Sequence, residues 1–382
     1  MAQRSRPPTG VRVCALAAGL LVAASLLAAP PPRAGAGGPG GAAGAPIAVG
    51  AYLHYGSPGV ERMAALSRWL GGTELRAGHT YLPGDTWANI EGAPDSLRTW
   101  AQWRRARADR LFVLNVPMFA RNEAGLPDAQ VAELIRTGAR GTYDHHFRRL
   151  AERLVALGVP DTVVVLGWEM NGFQYSHRCR PDPENWKRYW RRIVAAMRTV
   201  RGQRLRFDFA PNRGSDAIAW TACYPGDDVV DIVGMDSYDQ PPGHTFDEQI
   251  SQPYGLQQQV DFAKAHRKRI SYPEWGLFRN GDNPEYMRRM LTWIAQHRPL
   301  YHSITDYCPH GVWQCTENPR ASQVFQSHLK PPPRTPGPRA PHPRAGTTSA
   351  NQPSTSSAPS TFSSTRSPYI PGKNRPAGQL RW

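Results

Sequence analysis

Acidic residues are missing from both ends of this 382-residue chain. Residues 1–46 carry Arg4, Arg6, Arg12 and Arg33 and no acid. Residues 330–382 carry Lys330, Arg334, Arg339, Arg344, Arg366, Lys373, Arg375 and Arg381 and again no acid. The formal net charge of +16 is therefore mostly terminal, and the middle holds only +4. A large domain so weakly charged, with its bases scattered, lacks the footprint of a polyanion reader, so no nucleic-acid partner is expected. Cysteine is also scarce, at five residues, and no CxxC or histidine-bearing spacing suited to zinc occurs. No glycine-rich phosphate loop follows the first strand candidate, which argues against an open nucleotide-binding sheet. No internal repeat is present. The one long apolar run, Cys14–Ala29, is short of the roughly 20 residues that span a bilayer.

What is present divides the chain into four. A basic lead, that apolar run and the small-residue site Ala34-Gly35-Ala36 read as a secretory signal over residues 1–36. Residues 37–46 are a Gly, Pro and Ala spacer. From residue 330 onward the chain is rich in Pro, Ser, Thr and Arg without apolar periodicity, and such a tail cannot offset the entropy of ordering. The expectation is a disordered basic tail, able to touch an envelope polymer, on an exported monomer with no membrane contact after signal cleavage. Four cysteines remain in that exported protein, Cys179, Cys223, Cys308 and Cys315, and an even number favours disulfides. The simplest pairing joins 179 to 223 and 308 to 315, with two other connectivities open.

Residues 47–329 suit one (β/α)8 barrel. Eight strand candidates alternate with amphipathic stretches: 47–52, 73–77, 111–116, 162–166, 206–209, 229–235, 269–272 and 303–306. Helix candidates lie at 143–157, 186–200, 256–266 and 284–297. In the first of these Phe147, Leu150, Leu154 and Leu157 recur at helical spacing. The neighbouring Asp144-His145-His146 reads as a helix start with Asp144 as cap, not as a metal site.

Barrel enzymes carry their chemistry at the C-terminal ends of strands. Two ends stand out here. The fourth strand leads into Gly167-Trp168-Glu169-Met170-Asn171-Gly172, and the seventh into Pro273-Glu274-Trp275-Gly276. Paired carboxylates are what glycosidic cleavage requires, one to protonate the leaving oxygen and one to attack or activate water. Adjacent tryptophans offer flat faces for sugar rings. The candidate substrate contacts are Trp168, Asn171, Asn212, Trp275, Trp313 in the Cys308–Cys315 loop, and His79 after the second strand. Trp87, Phe173, Tyr175 and Trp220 are further cleft candidates, and Asp236 and Asp239 read as loop-orienting acids. No metal or organic cofactor is required.

These elements, with Ala210-Pro211-Asn212, Tyr224-Pro225-Gly226-Asp227-Asp228 and Val233-Gly234-Met235-Asp236-Ser237-Tyr238, resemble glycoside hydrolase family 26, in order and spacing across residues 47–329. The resemblance implies a retaining hydrolase of β-linked polysaccharide, with Glu169 as acid/base, Glu274 as nucleophile and Tyr238 hydrogen-bonded to Glu274. It implies β-mannan first among substrates. The family's β-mannanases carry a histidine before the acid/base, whereas this chain carries Trp168, which keeps mixed-linkage β-glucan and β-1,3-xylan open. A non-catalytic carbohydrate-binding protein on the same barrel is the alternative from another class.

Overall fold

A computed structural model describes residues 46–92 and 96–331. The expected signal segment, most of the spacer and nearly all of the basic tail lie outside these residues. Ten short strands form one sheet: β1 (Ala48–Tyr52), β2 (Ala77–Tyr81), β3 (Leu111–Val116), β4 (Val163–Leu166), β5 (Arg206–Phe209), β6 (Ile232–Val233), β7 (Ser237–Tyr238), β8 (Arg269–Ile270), β9 (Tyr272–Gly276) and β10 (Tyr301–Thr305). Every pairing is parallel, in the order β7-β9-β10-β1-β2-β3-β4-β5-β6-β8.

That order closes on itself. β6 and β7 are two pieces of one strand, and β8 and β9 are two pieces of the next, broken only at Ser271. Through the first interruption Gly234 N donates to Phe209 O and Asp236 N to Pro211 O on one side, while Met235 N donates to Ser271 O on the other. The pair β6–β8 at one end of the order and β7–β9 at the other are thus the same two strands meeting twice. The result is an eight-stranded (β/α)8 barrel, the architecture expected from the alternation of strand and helix candidates.

Side-chain alternation sorts the core into two layers. Val163 and Val165 of β4 join Ala48, Ala77, Val113, Ala210, Ile232 and Tyr301 in an inner cluster, whereas Val164 and Leu166 join the outer one. The outer layer fills the space between barrel and helices. The helix Asp144–Ala156 buries Phe147, Leu150, Ala151 and Leu154 there, at the spacing of one helical face. The helix Pro183–Arg198 begins at Asp182, whose side chain accepts from Asn185 N, and buries Trp186, Tyr189, Trp190, Ile193 and Met197. Gly78 is where the helix Ser96–Arg105 packs on the barrel wall. A Cβ there would lie 2.4 Å from the Trp103 ring and 2.8 Å from Trp100.

Three local expectations are corrected. The second strand runs Ala77–Tyr81, four residues later than expected, because Ala77 pairs with Gly50 and the Gly78-His79 step continues the ladder into β3. His79 consequently lies inside the strand, not after it. Asp144 does not cap its helix: Tyr143 occupies that position, and Asp144 accepts from Arg192 instead. The disulfides are Cys179–Cys223 and Cys308–Cys315, the simplest of the three pairings.

Candidate active site

The C-terminal strand ends open into a cleft of about 910 Å³ walled by Tyr52, Tyr55, Tyr81, Trp168, Tyr175 and Tyr307, with Glu274 at its base. Glu274 sits in β9 and is 7% exposed. Its carboxylate is held from three directions. Tyr238 in β7 donates its hydroxyl to Oε2 at 2.8 Å, Asn115 in β3 donates its amide to Oε1 at 3.1 Å, and Tyr81 at the end of β2 donates as well. Burial pushes the Glu274 carboxyl above its ordinary range, and these three donors pull it back.

Glu169 lies just beyond β4 and is 5% exposed. Its backbone is left-handed, φ 51°, a conformation that costs a non-glycine residue about 1–3 kcal/mol. The turn is pinned by Glu169 N donating to Ala210 O at 2.8 Å and Gly172 N donating to Glu169 O at 2.9 Å. No donor comparable to those on Glu274 offsets its burial. Burial first, then the charges of Glu274 and Asp216, hold the Glu169 carboxyl well above the usual range. Two carboxyls whose surroundings push their acidities apart are suited to serve as acid and base in one site.

A third acid completes the cluster. Asp236, between β6 and β7, is 2% exposed and accepts the Glu274 backbone N–H at 3.1 Å. Burial, followed by Glu274, Glu169 and Asp208, raises its carboxyl well above the ordinary value. One oxygen each from Glu169, Asp236 and Glu274 lies within 4.8 Å of the others, an oxygen set that a hard cation could share. Cys308, Cys315 and Glu317 also cluster, but those sulfurs are bonded to each other and offer no thiolate.

The other candidate contacts separate into lining and support. Trp168 lines the cleft, its ring edge-on to Tyr81 at 5.5 Å and to Tyr175 at 5.1 Å between centroids. His79 is fully buried, 2.9 Å from Asn115 Oδ1 and 3.0 Å from Ser303 Oγ, so it orients the amide that serves Glu274 instead of reaching the cleft. Burial lowers its pKa to about 4, which keeps the ring neutral. Trp275 is fully buried and donates to His302, packing on the side of β9 away from the cleft. Asn171 is likewise buried, its amide donating to Asn212 O and Gly214 O and accepting from Asn212 N. Asn212 donates to Asp216. These two asparagines tie the loop after β4 to the turn after β5. Trp313 packs against the outer core while its loop presents Tyr307, Cys308 and Gln314 to the cleft.

Of the further aromatic candidates only Tyr175 lines the main cleft. Trp220 is buried, Phe173 is exposed, and Trp87 lines a separate pocket. Asp239 does orient loops, accepting from Gln249, Asn280 and Asn283. Residues that were not singled out as functional matter equally: Tyr81, Asn115, Tyr52 and Thr305. A lone asparagine in the apolar run Leu-Phe-Val-Leu-Asn-Val was the available signal for Asn115. Tyr81 closes β2, four residues beyond the strand end that the sequence suggests.

Comparison with known proteins bears on this constellation. The model of glycosyl hydrolase family 26 matches residues 149–274, a span that contains Glu169, Asp236, Tyr238 and ends on Glu274. The match covers 126 of the 382 residues, and over that span the chain is similar to glycosyl hydrolase family 26. It is a glycoside hydrolase. No curated protein matches the sequence. Among solved structures, the chain is similar to Bacillus subtilis mannanase BCman, at 17% identity and TM-score 0.54, over 73% of this chain and 84% of that one. GH26C from Muricauda sp. MAR_2010_75 is similar at 17% identity and TM-score 0.55, over 75% and 86%. A Cellulomonas fimi endo-beta-1,4-mannanase double mutant is similar at 16% identity and TM-score 0.51, over 75% and 77%. At such identities the likeness is one of barrel architecture. Among the described residues no helix is long and apolar enough to cross a membrane.

Proposed function

We propose that the protein is an exported retaining hydrolase of β-linked polysaccharide, β-mannan first, with Glu169 as acid/base and Glu274 as nucleophile. The observation that carries this is the spacing of the two carboxyls together with their unequal surroundings. Oxygens of Glu169 and Glu274 approach within 4.8 Å. Retaining enzymes hold the pair about 5–5.5 Å apart, while inverting enzymes leave about 6.5–9.5 Å for a water. Glu274, ionised and steadied by Tyr238, Asn115 and Tyr81, attacks the anomeric carbon. Glu169, kept protonated by burial and by the Glu274 charge, delivers its proton to the leaving oxygen.

Formation of the glycosyl-enzyme removes the Glu274 charge and with it one cause of the raised Glu169 pKa. Glu169 can then release a proton more readily and act as base toward the incoming water. Asp236 accepts the backbone N–H of Glu274, and an oxygen of Glu169 lies within 4.8 Å of one on Glu274. The aromatic walls offer stacking surfaces to sugar rings.

Substrate preference favours β-mannan because two of the three solved structures named above are described as mannanases. Reducing-sugar release from β-mannan, mixed-linkage β-glucan and β-1,3-xylan tests it. Release from mannan, lost in Glu274→Ala, is expected; added azide should restore chain cleavage in that variant, read as a glycosyl azide product and not as new reducing ends. Tight polymer binding without release from any of the three would leave only a carbohydrate-binding role. Export, with residues 1–36 as leader and 330–382 as a basic tail, rests on sequence and is tested by mapping the N-terminus of the mature protein.

A further inference from the structure

A second pocket, of about 410 Å³, opens beside the cleft. This is within the roughly 300–1,000 Å³ of small-ligand sites. Trp87, Phe119, Leu126, Leu134 and Tyr143 make it mainly apolar, and Arg121 and Gln130 supply polar groups. None of these residues touches the catalytic carboxylates. We propose that this pocket is a distal subsite that binds further sugar units of the same neutral β-glycan whose scissile bond lies at Glu274; the proposal rests on the hydrolase reading above.

The two walls of the cleft carry this inference, because both run unbroken into the pocket. On one wall Asp85 and Asn89 face the cleft, and Trp87 between them faces the pocket. On the other, Phe119 and Ala120 face the pocket, Asn122, Glu123 and Ala124 face the cleft, and Arg121 lines both. A chain leaving the cleft along these walls passes over Arg121 and reaches Trp87.

The chemistry at each point fits a neutral sugar. Trp87 is a fixed platform: its ring stacks on His146 at 4.2 Å and 4°, and on Tyr143 at 4.8 Å. His146 is in turn held by Glu91. The pocket therefore meets an aromatic lining that is already ordered, the edge of Trp87 with Tyr143 and Phe119, so a pyranose packs against it with little entropy to lose. At the crossing, Arg121 has a left-handed backbone, φ 57°, fixed by Asp85 O and by the Ser176 hydroxyl. Its guanidinium has no hydrogen-bond or ion-pair partner among the described residues, so its donors face the ligand path. Asn122 beside it is 1% exposed, and neither its amide nitrogen nor its oxygen has a protein partner. Unpaired buried amides are rare, and vicinal hydroxyls supply both a donor and an acceptor. The acid in the pocket, Glu133, is occupied by Arg136 and Arg140.

Calorimetric titration of the full chain in a Glu274→Gln background, with β-1,4-manno-oligosaccharides and cello-oligosaccharides of two to seven units, tests the subsite. Affinity should rise in a further step once the chain is long enough to leave the cleft. Trp87→Ala should remove that step, lowering the ratio of long-chain to short-chain affinity about tenfold. Gln130→Trp, which fills the pocket from an exposed helix position without removing any packing, should have the same effect. A length dependence identical in parent and both variants overturns the proposal, as does an equal loss for short and long chains. Binding of no oligosaccharide overturns it too. Hydrolysis by the wild-type chain is measured in parallel: its absence with the length step intact sinks the hydrolase reading and not the subsite.

Discussion

Replacing Tyr238 with phenylalanine isolates one hydrogen bond at the centre of the site. The hydroxyl donates to Glu274 Oε2 at 2.8 Å and lies 2.7 Å from Thr305 Oγ1, so Thr305 donates to it in turn. Tyr238→Phe keeps the ring against His310, 4.6 Å away between centroids, and removes only that relay. A hydrogen bond to a charged group is worth about 1.5–3 kcal/mol. Tyr81 and Asn115 still serve the carboxylate, which places the loss in kcat/KM at about ten- to hundredfold. The pH profile should move as well. Tyr238 stabilises the ionised form of Glu274, so its removal raises the Glu274 pKa further above the ordinary range. The acid limb of kcat/KM reports ionisation of Glu274 in the free enzyme, and it should shift upward by about 1–2 pH units, at 1.36 kcal/mol per unit. Initial rates on a soluble β-glycan between pH 4 and 9 measure both effects. A variant within twofold of the parent, with an unmoved acid limb, would refute the assignment of Glu274 as the group that Tyr238 holds.

The buried Glu169 should weaken the fold at neutral pH. Its folded pKa is raised, so the native state binds the proton more tightly than the unfolded chain does, and stability falls as pH rises from about 4.5 through the folded value. Glu169→Gln should therefore melt near the parent temperature at pH 4 and above it at pH 7.5, and a pH-independent gap would count against burial as the cause. Gly78→Ala forces a methyl group to within 2.4 Å of the buried Trp103 ring. Urea unfolding should show a loss of about 3 kcal/mol, and an unchanged midpoint would mean that the helix shifts freely. The Cys179–Cys223 bridge spans 44 residues and ties the loop after Glu169 to the 310 turn Trp220–Cys223. Its removal by paired serine substitution should cost about 4 kcal/mol from loop entropy, read as a lower urea midpoint.

The barrel was legible in the chain because strands buried on both faces leave apolar runs such as Val163–Leu166, and helices leave a 3.6-residue stripe such as Phe147, Leu150 and Leu154. Boundaries failed where those signals were weak. β2 contains Gly78, which packing against Trp100 and Trp103 demands, and the polar His79 and Thr80, so its apolar signal is weak and the expected 73–77 begins four residues before it. Among site residues, Glu169 just beyond β4 and Glu274 within β9 are conspicuous because each stands beside a tryptophan at the end of an apolar run.

By itself the sequence determined the repeating strand and helix units, two glutamates 105 residues apart each beside a tryptophan, and an even set of cysteines in the barrel. Those are local or periodic properties, written in neighbouring residues. Only the tertiary structure decided which side chains meet. It brought Asp236 under Glu274, Tyr81 and Asn115 onto its oxygens, and took Trp275, Asn171 and His79 out of substrate reach. Whether a residue at a strand end faces the cleft or packs behind it depends on barrel closure and strand register, and those pair residues far apart in the chain.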